Sequence, residues 1–256
     1  MSYLDIQNID MLFGGVKALD NISLSVRQNS ITAIIGPNGS GKTTIFNMLS
    51  GYYKPTSGKV VFEGKDLTGL PAHEITDAGF ARTFQNLRLF KSMSVLENVM
   101  VSMGHHAKTK LLNAMFNPVA ARKEDKIFTD KAMKLLDLLD IRKYAYDRAI
   151  SLPYGTQRRV EIARALATDP KVLLLDEPAA GLNEMETVEL SGILDTIHES
   201  GITIFIVEHD MKLVMGSCQT ITVIDYGKKI AEGDCDCVRN DPKVIEAYLG
   251  KEEELC

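Results

Sequence analysis

Gly36-Pro37-Asn38-Gly39-Ser40-Gly41-Lys42-Thr43 fits the pattern G-x-x-x-x-G-K-[ST] and stands between a strand-like run and a helix-like run. Ile31 to Ile35, ahead of it, is short, apolar and β-branched, as a buried parallel strand should be. Behind it, Thr44 to Ser50 carries Ile45, Met48 and Leu49 at helical spacing. Strand, glycine-rich loop and helix in that order read as a phosphate-binding loop, with Gly36 to Thr44 as its ligand-holding stretch. Gly36, Gly39 and Gly41 allow backbone conformations closed to residues with a side chain, so successive N–H groups can converge on phosphate oxygens at a helix N-terminus. Lys42 adds a positive charge for the β- and γ-phosphates, and the Thr43 hydroxyl can ligate Mg²⁺.

The chain of 256 residues is long enough for one large domain or two small ones, and its periodic content favours one. A net charge of -5 argues against a surface built to hold a polyanion, so nucleic acid is not an expected partner. Met1 to Asp5 has no basic or apolar leader character, and no apolar run approaches the ~18 residues of a membrane span. The expectation is a protein neither secreted nor integral to a membrane. Four cysteines (Cys218, Cys235, Cys237, Cys256) without a C-x-x-C pair fit a reducing compartment. Cys235-Asp236-Cys237 lacks the second ligand pair that a soft-metal site needs.

Residues 3 to 30 alternate apolar and polar around Gly14-Gly15 and read as an antiparallel β flap over the nucleotide core. Phe13, just before the diglycine turn, can either stack on a purine base or sit in the core. Val60-Val61-Phe62 is a further strand, and Ala81-Arg82-Thr83-Phe84-Gln85 closes the first part of the core. From about residue 91 the texture turns helical. Ser94-Val95-Leu96-Glu97 is a capping box opening a helix with Leu96, Val99, Met100 and Met103 near one face. Gly104 to Lys123 reads as a solvated connection with a short amphipathic helix around Leu111, Leu112, Met115 and Phe116, and its adjacent His105 and His106 are poor joint metal ligands. Lys126 to Leu139 is another amphipathic helix. Val172 to Leu175, Ile202 to Val207 and Thr220 to Ile224 then read as buried strands alternating with helices, Met185 to Ser200 among them. The sheet is therefore mostly parallel, with its ligand edge at the carboxyl ends of the strands. Asp241-Pro242 starts a terminal helix with Val244, Ile245, Tyr248 and Leu249.

Val172-Leu173-Leu174-Leu175-Asp176-Glu177 puts two carboxylates at the end of a buried strand, facing the same crevice as the phosphate loop. Asp176 can bind Mg²⁺, and Glu177 can orient the water that attacks a γ-phosphate. His209 occupies the analogous place after Ile202 to Val207 and can donate a hydrogen bond to that phosphate. Gln85, just before the helical insertion, can touch the metal and water site while its backbone moves with the insertion. Leu152-Pro153-Tyr154-Gly155-Thr156-Gln157 runs straight into a helix, whose start is an anion site.

With these residues in place the chain resembles an ATP-binding cassette (ABC) ATPase from end to end. GPNGSGKT is similar to its phosphate loop, Gln85 to its Q-loop, Leu152 to Gln157 to its signature and LLLDE to its Walker B strand. Ala180-Gly181-Leu182-Asn183 resembles the D-loop and His209 the switch histidine. ARTFQNLRLF, YGTQRRVEIARAL, LDEPAAGLN, VEHDMKLVMG and DPKVIEAYLG are similar to ATP-binding subunits of branched-chain amino acid importers, and the insertion near 104 to 123 to the larger of their two ATPases.

The resemblance implies an α/β phosphate-loop NTPase of RecA-like kind, with a mostly parallel sheet core, an antiparallel β flap and an inserted α-helical subdomain. Residues 1–90 and 156–256 would form the core and 91–155 the helical subdomain. It implies ATP and Mg²⁺ bound between two such subunits, identical or different, head to tail. Glu177, His209 and Gln85 would be catalytic, and Thr43, Gln85 and Asp176 would hold the metal. Phe13, Gly36, Pro37, Asn38, Gly39, Ser40, Gly41, Lys42, Thr43, Thr44, Tyr154 and Gly155 would hold nucleotide. Coupling helices of two membrane permeases would dock near Gln85, where Leu87, Leu89 and Phe90 supply apolar surface, leaving the chain peripheral on the cytoplasmic face of the membrane. A soluble ABC protein of cluster assembly has a similar length and is the alternative. Against the usual Leu-Ser-Gly-Gly-Gln signature, Pro153 replaces serine and Tyr154 the first glycine. The D-loop carries Asn183 where an aspartate is usual.

Overall fold

Alternating apolar residues in the N-terminal stretch bury one face of a hairpin. In the computed structural model, which describes residues 3–106 and 118–249, β1 (Leu4–Phe13) pairs antiparallel with β2 (Val16–Val26) around Gly14-Gly15. After β3 (Ile31–Ile35), strands β4 (Ser57–Phe62) and β5 (Lys65–Asp66) extend the hairpin to a four-stranded antiparallel sheet in the order β2-β1-β4-β5. This is the expected flap.

The second sheet has six strands in the order β10-β9-β3-β8-β7-β6. Its members besides β3 are β6 (Phe80–Arg82), β7 (Val172–Asp176), β8 (Thr203–Val207), β9 (Thr220–Asp225) and β10 (Lys228–Gly233). All pairings are parallel except β9 with β10. Every residue of β3, β7 and β8 is buried, so their sequences read as unbroken apolar runs rather than as alternation. The alternation survives in what each face touches. Val172 and Leu174 pack with the flap and with Phe46 and Leu49 of α1 (Lys42–Leu49), whereas Leu173 and Leu175 pack with the helical layer.

After the short α2 (Ala72–Asp77), that layer holds α3 (Val95–Ser102), α4 (Pro118–Leu138) and α5 (Tyr154–Leu166). Val95, Val99, Ala132, Leu136, Val160 and Ala163 form its core, where truncating a leucine such as Leu136 would cost about 2–5 kcal/mol. The capping box at Ser94 forms as its spacing predicts: the Glu97 N–H donates to Ser94 Oγ at 3.2 Å and the Ser94 N–H to Glu97 Oε2 at 2.8 Å. Helix α4 starts eight residues ahead of the expected Lys126, at Pro118, because proline suits a first helical turn whose N–H groups lack partners. The boundary expected at 155/156 falls inside α5, which is continuous and buries residues against both α3 and the sheet. Leu111, Leu112, Met115 and Phe116 lie outside the described residues, as do the side chains of His105 and His106. The chain continues through α6 (Glu184–Glu199), α7 (Met211–Ser217), α8 (Cys235–Arg239) and α9 (Pro242–Leu249).

Candidate functional site

Strand register decides which loops share an edge. Ile34 on β3 and Asp176 on β7 both lie level with Val207 on β8. The phosphate loop after β3, Asp176-Glu177 at the end of β7 and Glu208-His209 after β8 therefore line one carboxyl edge of the sheet.

The loop is closely fitted by its surroundings. A Cβ on Gly36 would lie 1.9 Å from the Ile224 carbonyl oxygen. At Gly41, where φ is 110°, it would meet Leu19 of the flap at 2.8 Å and the Ala18 carbonyl at 2.9 Å. Helix α1 then begins without a side-chain cap and without an acidic residue in its first turn, which leaves its leading N–H groups available to an anion. Lys42 Nζ donates to the carbonyls of Gly36 at 2.6 Å and Pro37 at 2.8 Å, which centres the ammonium on the loop. Burial pushes its pKa down, and the Glu177 carboxylate opposes this. Ser40 Oγ is buried with no hydrogen-bond partner, Asn38, Gly39 and Thr43 are exposed, and Thr44 is half-buried.

Opposite the loop, the three expected catalytic side chains meet. Gln85 Nε2 donates to Glu177 Oε2 at 2.8 Å, and His209 Nδ1 lies 3.7 Å from the same oxygen. Glu177 has a φ of 47°, unusual for a residue with a side chain, and its N–H donates to the Val207 carbonyl at 2.8 Å. Gln85 was expected at the metal and water position, and the contact it makes is with the carboxylate that would orient the water.

Two polar residues that sequence reasoning passed over hold this site. Arg82 donates from Nη2 to Asp176 Oδ2 at 2.7 Å and from Nη1 to Asn47 Oδ1 at 2.8 Å and Ser50 Oγ at 3.1 Å, tying β6, β7 and α1 together. Glu208, fully buried, accepts the N–H groups of Ala179 at 2.7 Å, His209 at 2.8 Å and Asp210 at 3.0 Å. Burial pushes its carboxyl up while these donors pull it down. The available signal was its place, an acid directly after a buried strand, as at Asp176.

Phe13 is exposed at the end of β1, edge-on to Tyr53 with ring centroids 5.1 Å apart, so it belongs to a surface aromatic pair and not to the core. Pro153 caps α5 at φ −54° and ψ 151° and supplies no side-chain hydrogen bond. The Tyr154 ring lies against Gly181, where an added Cβ would be 3.1 Å away, and Gly155 is buried against Glu186, whose Oε1 would be 2.6 Å from a Cβ there. Gln157 turns back to the carbonyls of Leu152 at 2.8 Å and Ile150 at 3.3 Å. Asn183 is the N-cap of α6: its Oδ1 accepts the Glu186 N–H at 3.0 Å and its own N–H donates to Glu186 Oε2 at 2.9 Å. Asparagine caps as well as aspartate does.

The apolar surface expected after Gln85 is smaller than its sequence implies. Leu89 packs into the helical core, Leu87 is half-buried and Phe90 is exposed, with the Arg164 guanidinium 4.9 Å from its ring. The correction has a simple cause, since a leucine between two structural layers is drawn inward. Beside this segment lies a groove of about 310 Å³ lined by Tyr52, Ile75, Phe84, Arg88, Ser102 and Arg164.

Residues 19–180 match the family model described as ABC transporter, and residues 228–254 match that described as branched-chain amino acid ATP-binding cassette transporter. The high-affinity branched-chain amino acid transport ATP-binding protein BraF of Pseudomonas aeruginosa is 42% identical over 249 residues, 97% of this chain and 98% of that protein. LivG of Salmonella typhimurium, described in the same words, is 43% identical over the same shares. Among solved structures, an ATP-binding cassette of an ABC transporter in its ADP conformation aligns with a TM-score of 0.85 at 37% identity, covering 98% of this chain and all of that one. A nucleotide-free cassette aligns at 0.83 and 35% identity over 98% of this chain. The soluble cluster-assembly alternative draws no support from these relatives. With loop, carboxylates and signature helix arranged on a fold shared at this identity over nearly its whole length, the chain belongs to the ATP-binding proteins of ABC transporters, in their branched-chain amino acid group.

Proposed function

We propose that this chain hydrolyses ATP to power an importer of branched-chain amino acids. The observation that carries the reading is the meeting of Gln85, Glu177 and His209 at the sheet edge that also bears the phosphate loop. The fit to a polyphosphate is physical: an uncapped helix start, an ammonium held on the loop and a buried hydroxyl on Ser40 without a partner are what one anionic ligand would satisfy together. Lys42 and the N–H groups of Gly39 to Thr44 would hold the β- and γ-phosphates, and Phe13 with Tyr53 would receive the base.

Thr43, Asp176 and the amide oxygen of Gln85 are hard oxygen donors of the kind Mg²⁺ takes. The Gln85 nitrogen is already committed to Glu177, so its oxygen faces elsewhere and can serve a metal. Bound there, Mg²⁺ would neutralise charge on the phosphates. Glu177 then orients the attacking water, with the Gln85 amide fixing the rotamer of its carboxylate. His209, 58% exposed in its side chain, is free to turn from Glu177 toward a γ-phosphate. Glu208 keeps the backbone of His209 in place by accepting its N–H.

The same reading places 91–155 as a helical subdomain of a single ABC ATPase domain. It pairs the chain head to tail with a second ATPase subunit, whose phosphate loop would face Tyr154 and Gly155. Two membrane permeases would dock in the groove beside Gln85, holding the chain on the cytoplasmic face through its partners. No helix among the described residues is long and apolar enough to cross a membrane. In the assembled complex Glu177→Gln should keep ATP binding and lose turnover by about 10² or more, because an amide cannot orient the water as the carboxylate does. Near-normal turnover in that variant would reject the assignment.

A further inference from the structure

Helix α5 meets the Gln85 loop through three charged residues a turn apart. Arg158, Glu161 and Arg164 recur at i, i+3 and i+6 and so share one face. All three bond the loop's backbone. Arg158 Nη1 donates to the Phe84 carbonyl at 2.7 Å and Nη2 to the Gln85 carbonyl at 2.9 Å. The Phe84 N–H donates to Glu161 Oε1 at 3.4 Å, and Arg164 Nη1 donates to the Arg88 carbonyl. Arg158 is fully buried, with its charge met by Glu161 Oε2 at 2.8 Å and by the Tyr154 hydroxyl at 3.1 Å.

A buried ion pair is a poor way to hold a helix on a core, since apolar residues of the same volume do as well or better. Val160, Ile162 and Ala163 on the same helix already do that. What the pair adds is direction: a planar guanidinium holds two successive carbonyls and a carboxylate in one fixed fork, whereas an apolar group offers no donor and the donors of an ammonium rotate about its flexible stem. We infer that Arg158, with Glu161 and Arg164, makes loop 84–88 a rigid extension of α5, so that movement of the signature helix carries Gln85 toward or away from Glu177. The loop's other end is continuous with β6, which pairs with β7, so Gln85 stands at the joint between sheet and helix. A shift of about 1 Å at α5 is enough to break the 2.8 Å bond from Gln85 to Glu177, because such bonds are lost beyond roughly 3.5 Å. Arg158 is a positioning residue: it acts through Gln85, and the inference rests on the role given to Gln85 above.

The test is a double-mutant cycle on ATP turnover in the complex with its membrane partners. Arg158→Met with Glu161→Leu removes both members of the pair, so that Arg158 is not left buried without its carboxylate, and should lower kcat about tenfold or more while changing ATP affinity by less than about threefold. Gln85→Ala should slow turnover to a similar extent, and the combined variant should be slower than the slower parent by less than about twofold. Amide hydrogens of residues 85–88 should exchange at least about tenfold faster in the pair variant. Arg158→Lys, which keeps the charge and folds without repacking, should behave as the pair variant does. Multiplying effects, unchanged exchange at 85–88 or full turnover in Arg158→Lys would each overturn the clamp while leaving the role of Gln85 intact. Gln85→Ala with normal turnover would overturn both.

Discussion

Asp176 carries a buried charge that, among the described residues, Arg82 answers directly, and Arg82→Met shows what that arrangement contributes. Both side chains are 7% exposed and their bond is 2.7 Å. Removing one member of a buried pair leaves the other charge uncompensated, at a cost of about 3–5 kcal/mol. For a chain of this size 1 kcal/mol moves Tm by roughly 2–4 °C, so the variant should melt about 6–20 °C lower. Adding Asp176→Asn removes the stranded charge and should restore most of the loss, a reversal that general loosening of the core cannot produce. If Asp176 also ligates Mg²⁺, the metal supplies the missing positive charge, and Mg-ATP should raise the Tm of Arg82→Met more than that of the unmodified chain, whereas ATP with chelator should not. Thermal unfolding of the four variants with and without Mg-ATP measures all of this. A loss below about 1 kcal/mol in Arg82→Met, or a further loss on adding Asp176→Asn, would refute the reasoning.

At the signature, Pro153→Ser gives α5 the side-chain cap it lacks, a gain of typically about 1 kcal/mol, and gives up the proline's restriction of the unfolded chain, about 0.4–1 kcal/mol, so stability should stay within about 1 kcal/mol. Turnover of the complex at saturating ATP should rise, because the serine offers both a hydroxyl and an N–H to the partner's γ-phosphate, and an equal or lower rate would show that this contact is not limiting. In the flap, hydrogen bonds from Lys17, the Asn21 N–H and Ser57 hold the Asp10 carboxyl down at about 2. Its stabilising effect is therefore complete above the ordinary aspartate pKa and is lost as pH falls toward 2. The Tm gap between the unmodified chain and Asp10→Asn should be constant from about pH 5 to 8 and narrow below about pH 4, and a gap independent of pH would exclude Asp10 as its source.

What was legible in the sequence was local. The phosphate loop, the capping box at Ser94 and the unbroken runs of β3, β7 and β8 each follow from neighbours within a few positions. The meeting of Gln85 with Glu177 joins residues 92 positions apart, and that of Arg158 with the Gln85 carbonyl spans 73. Neither leaves a periodic trace. The burial of Arg82 and Arg158 has no signal of its own, because a sequence does not say that a strand end and a helix start will be covered by other layers. Leu89 failed in the opposite sense, an apolar residue in a loop that turned out to face the core. Phe13 could be placed only once the diglycine turn was seen at the open end of the flap, beside Tyr53.

Two departures in the signature, Pro153 and Tyr154, are physically unlike. Tyr154 puts a ring where glycine is usual, and the ring lies on Gly181, a residue with φ of 81° at which a Cβ would come within 3.1 Å of it. The bulk at 154 and the bareness at 181 compensate each other within the chain, and the Tyr154 hydroxyl is used by Arg158 at 3.1 Å. Tyr154 is thereby part of the contact between signature and D-loop, and its replacement by glycine would bare Gly181 and leave a buried guanidinium short of one acceptor. Pro153 has no such counterpart: it is exposed, and its side chain makes no cap to α5. A change at 153 therefore alters what the helix start can offer an anion and little else, whereas a change at 154 alters the anion site, the D-loop contact and the clamp together. Only the first of these substitutions isolates the signature's chemistry from its packing.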